Sequence, residues 1–278
     1  MRGEDPAHLR DHPSGITRGG RYGGRVRLPH PVYRLYERRL AASLVPNRLP
    51  RHVGVILDGN RRWAKSFGET AATGHRRGAD KIAEFLGWAE ADGIEVVTLW
   101  MLSTDNLARS AGELGDLLDI IEDAVRGLAD SRRWRLRVVG RLDLLPERLA
   151  VALREAAERT AGVRGLQVNV AIGYGGRHEI ADAVRAYLRE QAAAGTTMAE
   201  LAETIDVDDI ADHLYTAGQP DPELVIRTSG EQRIGGFLMW QSAHSELYFC
   251  EAYWPDFRRT DFLRALRDFT RRERRLGR

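Results

Sequence analysis

The chain is poor in cysteine and lysine. Of its 278 residues, Cys250 is the one cysteine, and Lys65 and Lys81 are the only lysines. A lone cysteine excludes an internal disulfide and a thiolate metal cage, and it fits a reducing, cytoplasmic setting. No apolar run approaches the roughly 18 residues that span a membrane, and the N-terminus lacks the apolar core of a secretory signal. No Gly-x-x-x-x-Gly-Lys-Ser/Thr sequence occurs, which argues against P-loop chemistry. Net charge is only +2, and aromatic and basic residues are not interleaved, so nothing makes a case for a nucleic-acid partner. The other basic residues are arginines, whose planar forks suit phosphate oxygens. That excess extends over surface helices too, so it counts toward function only where motifs converge.

A hydrophobic share of 43% suits one large α/β domain with a tail. Residues 1–28, rich in Gly, Arg, Pro and His, predict a disordered N-terminal extension. Within 29–49 the pattern predicts a short amphipathic helix over 31–44, with Val32, Leu35, Tyr36 and Leu40 on one face and Arg34, Arg38 and Arg39 elsewhere. Such a helix packs on the domain or touches a membrane surface, and packing is the favoured reading. Residues 50–278 alternate strand-like segments (53–57, 96–102, 135–140, 167–174, 224–228) with helical ones (from about 63, then 74–91, 113–129, 146–160, 177–191, 208–215 and 260–275). Short apolar runs follow at 237–241 and 247–249. The alternation predicts a mostly parallel central sheet flanked by helices on both faces.

The most informative stretch is His52-Val-Gly-Val-Ile-Leu-Asp58-Gly59-Asn60-Arg61-Arg62-Trp63-Ala64. Its β-branched run reads as a buried parallel strand, and Asp58-Gly59-Asn60 reads as the turn that ends it. A carboxylate then sits at the C-terminal end of a strand, where open α/β sheets bind ligands. An Asp there can hold Mg²⁺, and nearby amides and guanidinium groups can hold phosphate oxygens. Taken alone, the stretch equally describes a capped turn with solvated arginines. Other strand ends point the same way: Ser103-Thr104-Asp105-Asn106 with Arg109 just beyond, and Arg227 with Arg233 six residues on. A diphosphate carries about three negative charges, a demand that several arginines and a divalent ion match. His75, at an expected helix start, reads by itself as structural. Gly173-Tyr174-Gly175-Gly176 lacks the full dinucleotide fingerprint and reads as a strand-to-helix turn.

Five blocks, in order, resemble the cis-prenyltransferases, the Z-type isoprenyl diphosphate synthase family that includes undecaprenyl diphosphate synthase. They are residues 52–64, Gly74-His75-Arg76-Arg77-Gly78, 102–106 with Arg109, 173–177, and 221–254. The last contains Leu224-Val-Ile-Arg-Thr-Ser-Gly-Glu-Gln-Arg233 and Phe237-Leu-Met-Trp-Gln241. The likeness spans roughly residues 50–278, the expected catalytic domain, and is nearest in character to short-chain actinobacterial members. It implies a dimeric α/β fold with an elongated hydrophobic tunnel. It also implies Mg²⁺-dependent condensation of isopentenyl diphosphate with an allylic diphosphate (geranyl, neryl or dimethylallyl). One Asp-Asp-x-x-Asp cluster, Asp208 to Asp212, matches half of the signature of the all-helical trans-prenyl synthases; with no second cluster it reads as a helix cap.

Carried over residue by residue, the resemblance makes Asp58 the catalytic carboxylate and Mg²⁺ ligand, with Glu246 a second ligand across the dimer or through water. Gly59, Asn60, Arg61, Arg62, His75 and Arg109 would bind the allylic diphosphate, and Arg227, Arg233 and Gly235 isopentenyl diphosphate. Trp63, Thr104, Asp105 and Ile234 join these substrate contacts. Asn106, helped by Ser103, lies where the family places proton removal, with a substrate diphosphate as the other acceptor. Arg275 and Gly277 match a tail that reaches the partner subunit's site. The departures are Arg61 for Gly, Ala71 for Arg, Asp105 for Glu, Leu107 for Trp, Gly235 for Ser and His244 for Tyr. Met101, Leu102 and Leu107 are the chain-length candidates. Met101 replaces a small residue of long-chain members and would block growth, unless it is ordinary core packing. The expected product is farnesyl-length. A long-chain synthase or a non-catalytic accessory subunit is the alternative, and intact Asp58, Arg62, Arg227 and Arg233 argue against the second.

Overall fold

The computed structural model describes residues 30–272, so residues 1–28 and the expected tail contacts Arg275 and Gly277 lie outside the described residues. Six strands form the sheet: β1 (His52–Ile56), β2 (Val96–Ser103), β3 (Arg135–Val139), β4 (Gln167–Tyr174), β5 (Leu224–Arg227) and β6 (Glu246–Phe249). The helices around it are α1 (His30–Ala42), α2 (Asn60–Ser66), α3 (Ala71–Ala91), α4 (Ala111–Ser131), α5 (Glu147–Thr160), α6 (Gly176–Ala194), α7 (Met198–Thr204), α8 (Val207–Ala211) and α9 (Arg259–Arg271). The strand order is β3-β4-β2-β1-β5-β6, and every pairing is parallel. From β1 the chain runs outward through β2 and returns to pair β5 on β1's other side. β1 therefore stands at the topological switch point, where such sheets bind ligands.

β1 is buried along its whole length, as its β-branched run requires. On one sheet face, α3, α4, α5 and α9 cover the larger core, which includes Phe85, Leu99, Leu102, Val125, Leu153 and Phe262. On the other face, Ile56, Ala171, Tyr174 and Val225 pack against Phe237 and Leu238. The apolar run at 237–241 thus forms a turn that buries Phe237, Leu238 and Gln241 while Met239 is exposed.

The local differences from the sequence reading have physical causes. α2 begins at Asn60 because Gly59, its N-cap, takes φ 103°, a left-handed conformation that favours glycine. α3 begins at Ala71, where Thr70 caps it through its side chain, so His75 lies inside the helix instead of at its start. Gly74 and Gly78 sit within α3 because α2 crosses there: a Cβ on Gly74 would lie 2.3 Å from the Asn60 carbonyl oxygen. The helix at 30–42 packs on α9, but through a different face from that expected. Tyr33 and Tyr36 reach Thr260 and Arg264, and Leu40 is buried, whereas Val32 and Leu35 are exposed. The acidic run at 208–212 is a cap sequence as expected, with Asp206 and Asp209 forming a capping box at α8.

Candidate active site

The C-terminal ends of β1, β2 and β5 meet around a cavity of about 720 Å³. β1 delivers Asp58. Its Oδ2 accepts from Arg227 Nη2 at 2.8 Å, and its Oδ1 faces Arg62 Nη2 at 3.4 Å. Thr228 fixes the turn, its hydroxyl accepting from the Asp58 N–H at 2.9 Å. Burial pushes the Asp58 carboxyl up. The hydrogen bond and charge of Arg227, with the charge of Arg62, outweigh that and hold it below the usual carboxylate range. Asp58 is therefore ionised at neutral pH. Gly59 makes this turn possible, since a Cβ there would lie 2.7 Å from Tyr253 and 2.9 Å from Ser229.

Arg62 extends the network, donating to Ser229 Oγ at 2.7 Å and Glu231 Oε1 at 3.0 Å. Arg233 pairs with the other Glu231 oxygen. Arg227 is nearly buried and donates through Nη1 to the Arg233 carbonyl at 2.5 Å, while its Nε has no partner among the described residues. Across the cavity, Arg61 and Arg109 face Glu113 at 3.4 and 3.1 Å. His75 Nε2 is also buried without a hydrogen-bond partner among the described residues, whereas the buried Arg109 Nη1 is the atom that pairs with Glu113. Burial, then the Arg109 charge, lowers the His75 imidazole to about 4. Unpaired buried donors are rare and costly. One, Arg227 Nε, lies on a guanidinium group lining this cavity, where five arginines converge, which marks it as a site for a polyanion.

Most of the residues singled out from sequence do line the cavity: Asp58 to Arg62, His75, Met101, Ser103, Asp105, Asn106, Arg109, Arg227, Arg233 and Gly235. Asn60 does so with its amide donating to the Leu57 carbonyl at 3.1 Å and its Oδ1 close against Gly78. Trp63, Thr104 and Ile234 are not in the lining. Trp63 packs against Phe67 with the rings tilted and their centroids 4.9 Å apart, and the Thr104 N–H bonds the Tyr174 carbonyl. Glu246 is not brought to Asp58 within the chain. It begins β6, level with the start of β5, and pairs with Arg272. Sequence reasoning missed Lys65, Trp100, Leu117 and Glu231. Lys65 lies one turn after Arg61 on α2, and Glu231 follows the β5 strand end, so their positions carried the signal.

A bulge shapes the wall below. β2 pairs Trp100 with Ala171 and then Leu102 with Ile172, which leaves Met101 as an extra residue. Bulges re-aim side chains next to active sites. Here Trp100 joins the Phe237 face, whereas Met101 and Leu102 both turn to the α3–α4 face. Met101 lines the main cavity and also a small pocket of about 40 Å³ with Ile82, Leu117, Ile120, Ile121 and Trp254. Leu102 is fully buried in the core and Leu107 packs on it; of the three chain-length candidates, Met101 is the one that lines these two cavities.

Comparison with known proteins decides the family. The prenyltransferase family described as "Putative undecaprenyl diphosphate synthase" matches residues 56–277. The chain belongs to the cis-prenyltransferase family. It is 61% identical over 248 residues to a (2Z,6E)-farnesyl diphosphate synthase of Thermobifida fusca, covering 89% of this chain and 97% of that one. A short-chain Z-isoprenyl diphosphate synthase of Mycobacterium leprae is 55% identical over 255 residues, covering 90% and 97%. Among solved structures, lavandulyl diphosphate synthase from Lavandula x intermedia, in complex with dimethylallyl diphosphate, superposes with a TM-score of 0.78 at 33% identity. That match covers 84% of this chain and 100% of that one. The parallel sheet and its flanking helices are thus the cis-prenyltransferase fold. Among the described residues, no helix is long and apolar enough to cross a membrane.

The donors present suit a divalent cation of the family's chemistry. Mg²⁺ takes one or two carboxylates and fills its octahedron with phosphate oxygens and water. Asp58 offers an ionised, partly exposed carboxylate in the cavity, with lone pairs beyond those its arginines use.

Proposed function

We propose that this cis-prenyltransferase condenses isopentenyl diphosphate with an allylic diphosphate (geranyl, neryl or dimethylallyl) to release a farnesyl-length cis-prenyl diphosphate. The observation that carries this reading is the adjacency of two unlike spaces. A cavity lined by Arg61, Arg62, Arg109, Arg227 and Arg233 shares Leu57, His75, Met101 and Leu117 with a small apolar pocket. The first suits two diphosphates, and the second, apolar and small, marks where a hydrocarbon tail would enter with little room to grow. The relatives' names agree with a short product.

Arg62, Arg109 and His75 hold the allylic diphosphate, while Arg227, Arg233 and the backbone at Gly235 hold isopentenyl diphosphate. The allylic C–O bond breaks with its electron pair leaving on diphosphate, and the guanidinium donors stabilise that charge where it develops. The isopentenyl double bond supplies the electrons of the new C–C bond, and loss of a proton creates the cis double bond. Asn106 lines the cavity with its N–H bonded to Ser103 Oγ at 3.1 Å, so it orients the reacting carbons. A neutral amide is a weak base, and a diphosphate oxygen takes the proton. Mg²⁺ held by Asp58 would add Lewis-acid stabilisation of the leaving group.

Residues 50–278 form the catalytic unit, working in the cytoplasm as a homodimer with Mg²⁺. β6 is an edge strand whose residues are all partly exposed, a surface that a second copy would cover. Glu246 and the tail carrying Arg275 and Gly277 would act across that interface. The test is turnover of labelled isopentenyl diphosphate with Mg²⁺ and each allylic diphosphate in turn. One short product, absent with Asp58→Ala, supports the reading. A ladder of polyprenyl products removes the short-chain assignment, and no product with any primer removes the activity.

A further inference from the structure

Trp100 is the one Phe, Tyr or Trp among the described residues that line the cavity. It sits in register with Ile56, which is itself in register with Arg227, so the three share one sheet face on the isopentenyl side. The ring is held from several directions. Its N–H donates to the Tyr174 carbonyl at 3.3 Å. Phe237 stacks on it at 5.2 Å and 15°, and Tyr174 meets it edge-on at 6.4 Å. Behind this layer, the Tyr174 hydroxyl donates to fully buried Glu179, which also accepts from Gln241 at 3.0 Å and from the Tyr215 N–H at 2.9 Å. A large aromatic surface is therefore fixed in place one strand over from the Asp58 turn, with Gly235 between the indole and Arg227: a Cβ there would lie 3.5 Å from the ring and 3.6 Å from Arg227 Nη1.

We propose that the Trp100 indole is a catalytic residue: it forms the hydrocarbon wall of the isopentenyl subsite, and its π face stabilises the cation formed there. The inference rests on the function proposed above and adds a residue to it. In that reaction the terminal carbon of the isopentenyl double bond attacks the allylic C1. Diphosphate leaves with the C–O electron pair, and a tertiary cation forms on the branched isopentenyl carbon until the neighbouring carbon loses a proton. Arg227 and Arg233 anchor the diphosphate end of the same molecule, which places its branched carbon along the wall that Trp100 supplies. An aromatic face attracts a cation through its quadrupole, most strongly for indole and when water is excluded.

Site-specific incorporation of progressively fluorinated tryptophan at position 100 separates this role from simple packing, because fluorine weakens the quadrupole with little change in shape. The single-turnover rate is expected to fall stepwise along the series. The total loss should be roughly tenfold, the factor that ~1.4 kcal/mol represents and within the range of a desolvated cation–π contact. Binding of an unreactive allylic thiolodiphosphate should stay unchanged. Trp100→Phe should keep most of the rate, and Trp100→Leu should lower it while raising KM for isopentenyl diphosphate alone. A flat fluorine series in an enzyme that turns over would overturn the assignment. Absence of any product from the wild type would contradict the function reading itself.

Discussion

At the residue scale, the site is organised by one charge relationship. Asp58 is held ionised by Arg227 and Arg62 against the effect of its own burial. The Asp58→Asn variant keeps the shape and removes the charge that would engage a divalent ion. Turnover should drop about 10³-fold, the scale of losing one preorganised electrostatic contact, while the circular dichroism spectrum stays that of the wild type. Retention of more than a tenth of the activity would remove Asp58 from its central role. Much of this was legible from the chain alone, because the residue types, their order and their place at strand ends follow from local pattern. Asn60 shows the limit. Its amide is committed to Leu57 and Gly78, a contact set by where α3 crosses α2, which no local pattern records.

At the element scale, glycine marks where helices touch. A Cβ on Gly78 would lie 2.3 Å from Asn60 Oδ1 and 3.0 Å from Trp254, whereas one on Gly127 of α4 would meet nothing within 4 Å. The same substitution should therefore have opposite signs. Gly78→Ala should lower the thermal midpoint through overpacking of ~1–3 kcal/mol, and Gly127→Ala should raise it by up to ~1 kcal/mol of helix propensity; calorimetry of the two variants compares them directly. The β2 bulge belongs to this scale as well. Strict alternation along 96–103 would put Trp100 and Leu102 on one face, and the extra residue at Met101 separates them. Bulges depend on the partner strand's register, so the run of apolar residues predicted the strand without the direction of its side chains. Met101→Ala should open the pocket bounded by Ile120 and Trp254 and shift product toward longer chains, read by chromatography of the dephosphorylated alcohols. An unchanged product length would show that Met101 is packing alone. α7 was missed although Thr197 and Glu200 spell a capping box, because the helix is short and Leu201 is its one buried residue.

At the scale of the whole molecule, the sheet ends differ in character. The C-terminal rim carries the cavity. Nearer the other end, a buried polar cluster joins the strands: His52 bonds the Pro220 carbonyl at 2.7 Å and Thr98 at 2.8 Å, and Thr98 accepts from Asn169 at 2.9 Å. Burial lowers His52 to about 4. The unfolded chain, with an ordinary imidazole near 6.5, then binds the proton first as pH falls. Stability should be fully present above about pH 6.5 and decline toward pH 4, by on the order of 3 kcal/mol from His52. Urea midpoints measured across that window should fall for the wild type, and a flat profile would contradict the burial argument. The architecture itself was readable because alternating strand and helix patterns leave few arrangements. Which strands pair across β1 was not, since it depends on contacts far apart in sequence. The account as a whole is tested most directly by the structure of the product. Wild-type protein is supplied with Mg²⁺, isopentenyl diphosphate and geranyl diphosphate, and the product is examined by NMR. A fifteen-carbon chain with a cis bond at the newly added unit is predicted; an all-trans product, or a polyprenyl chain, would contradict it.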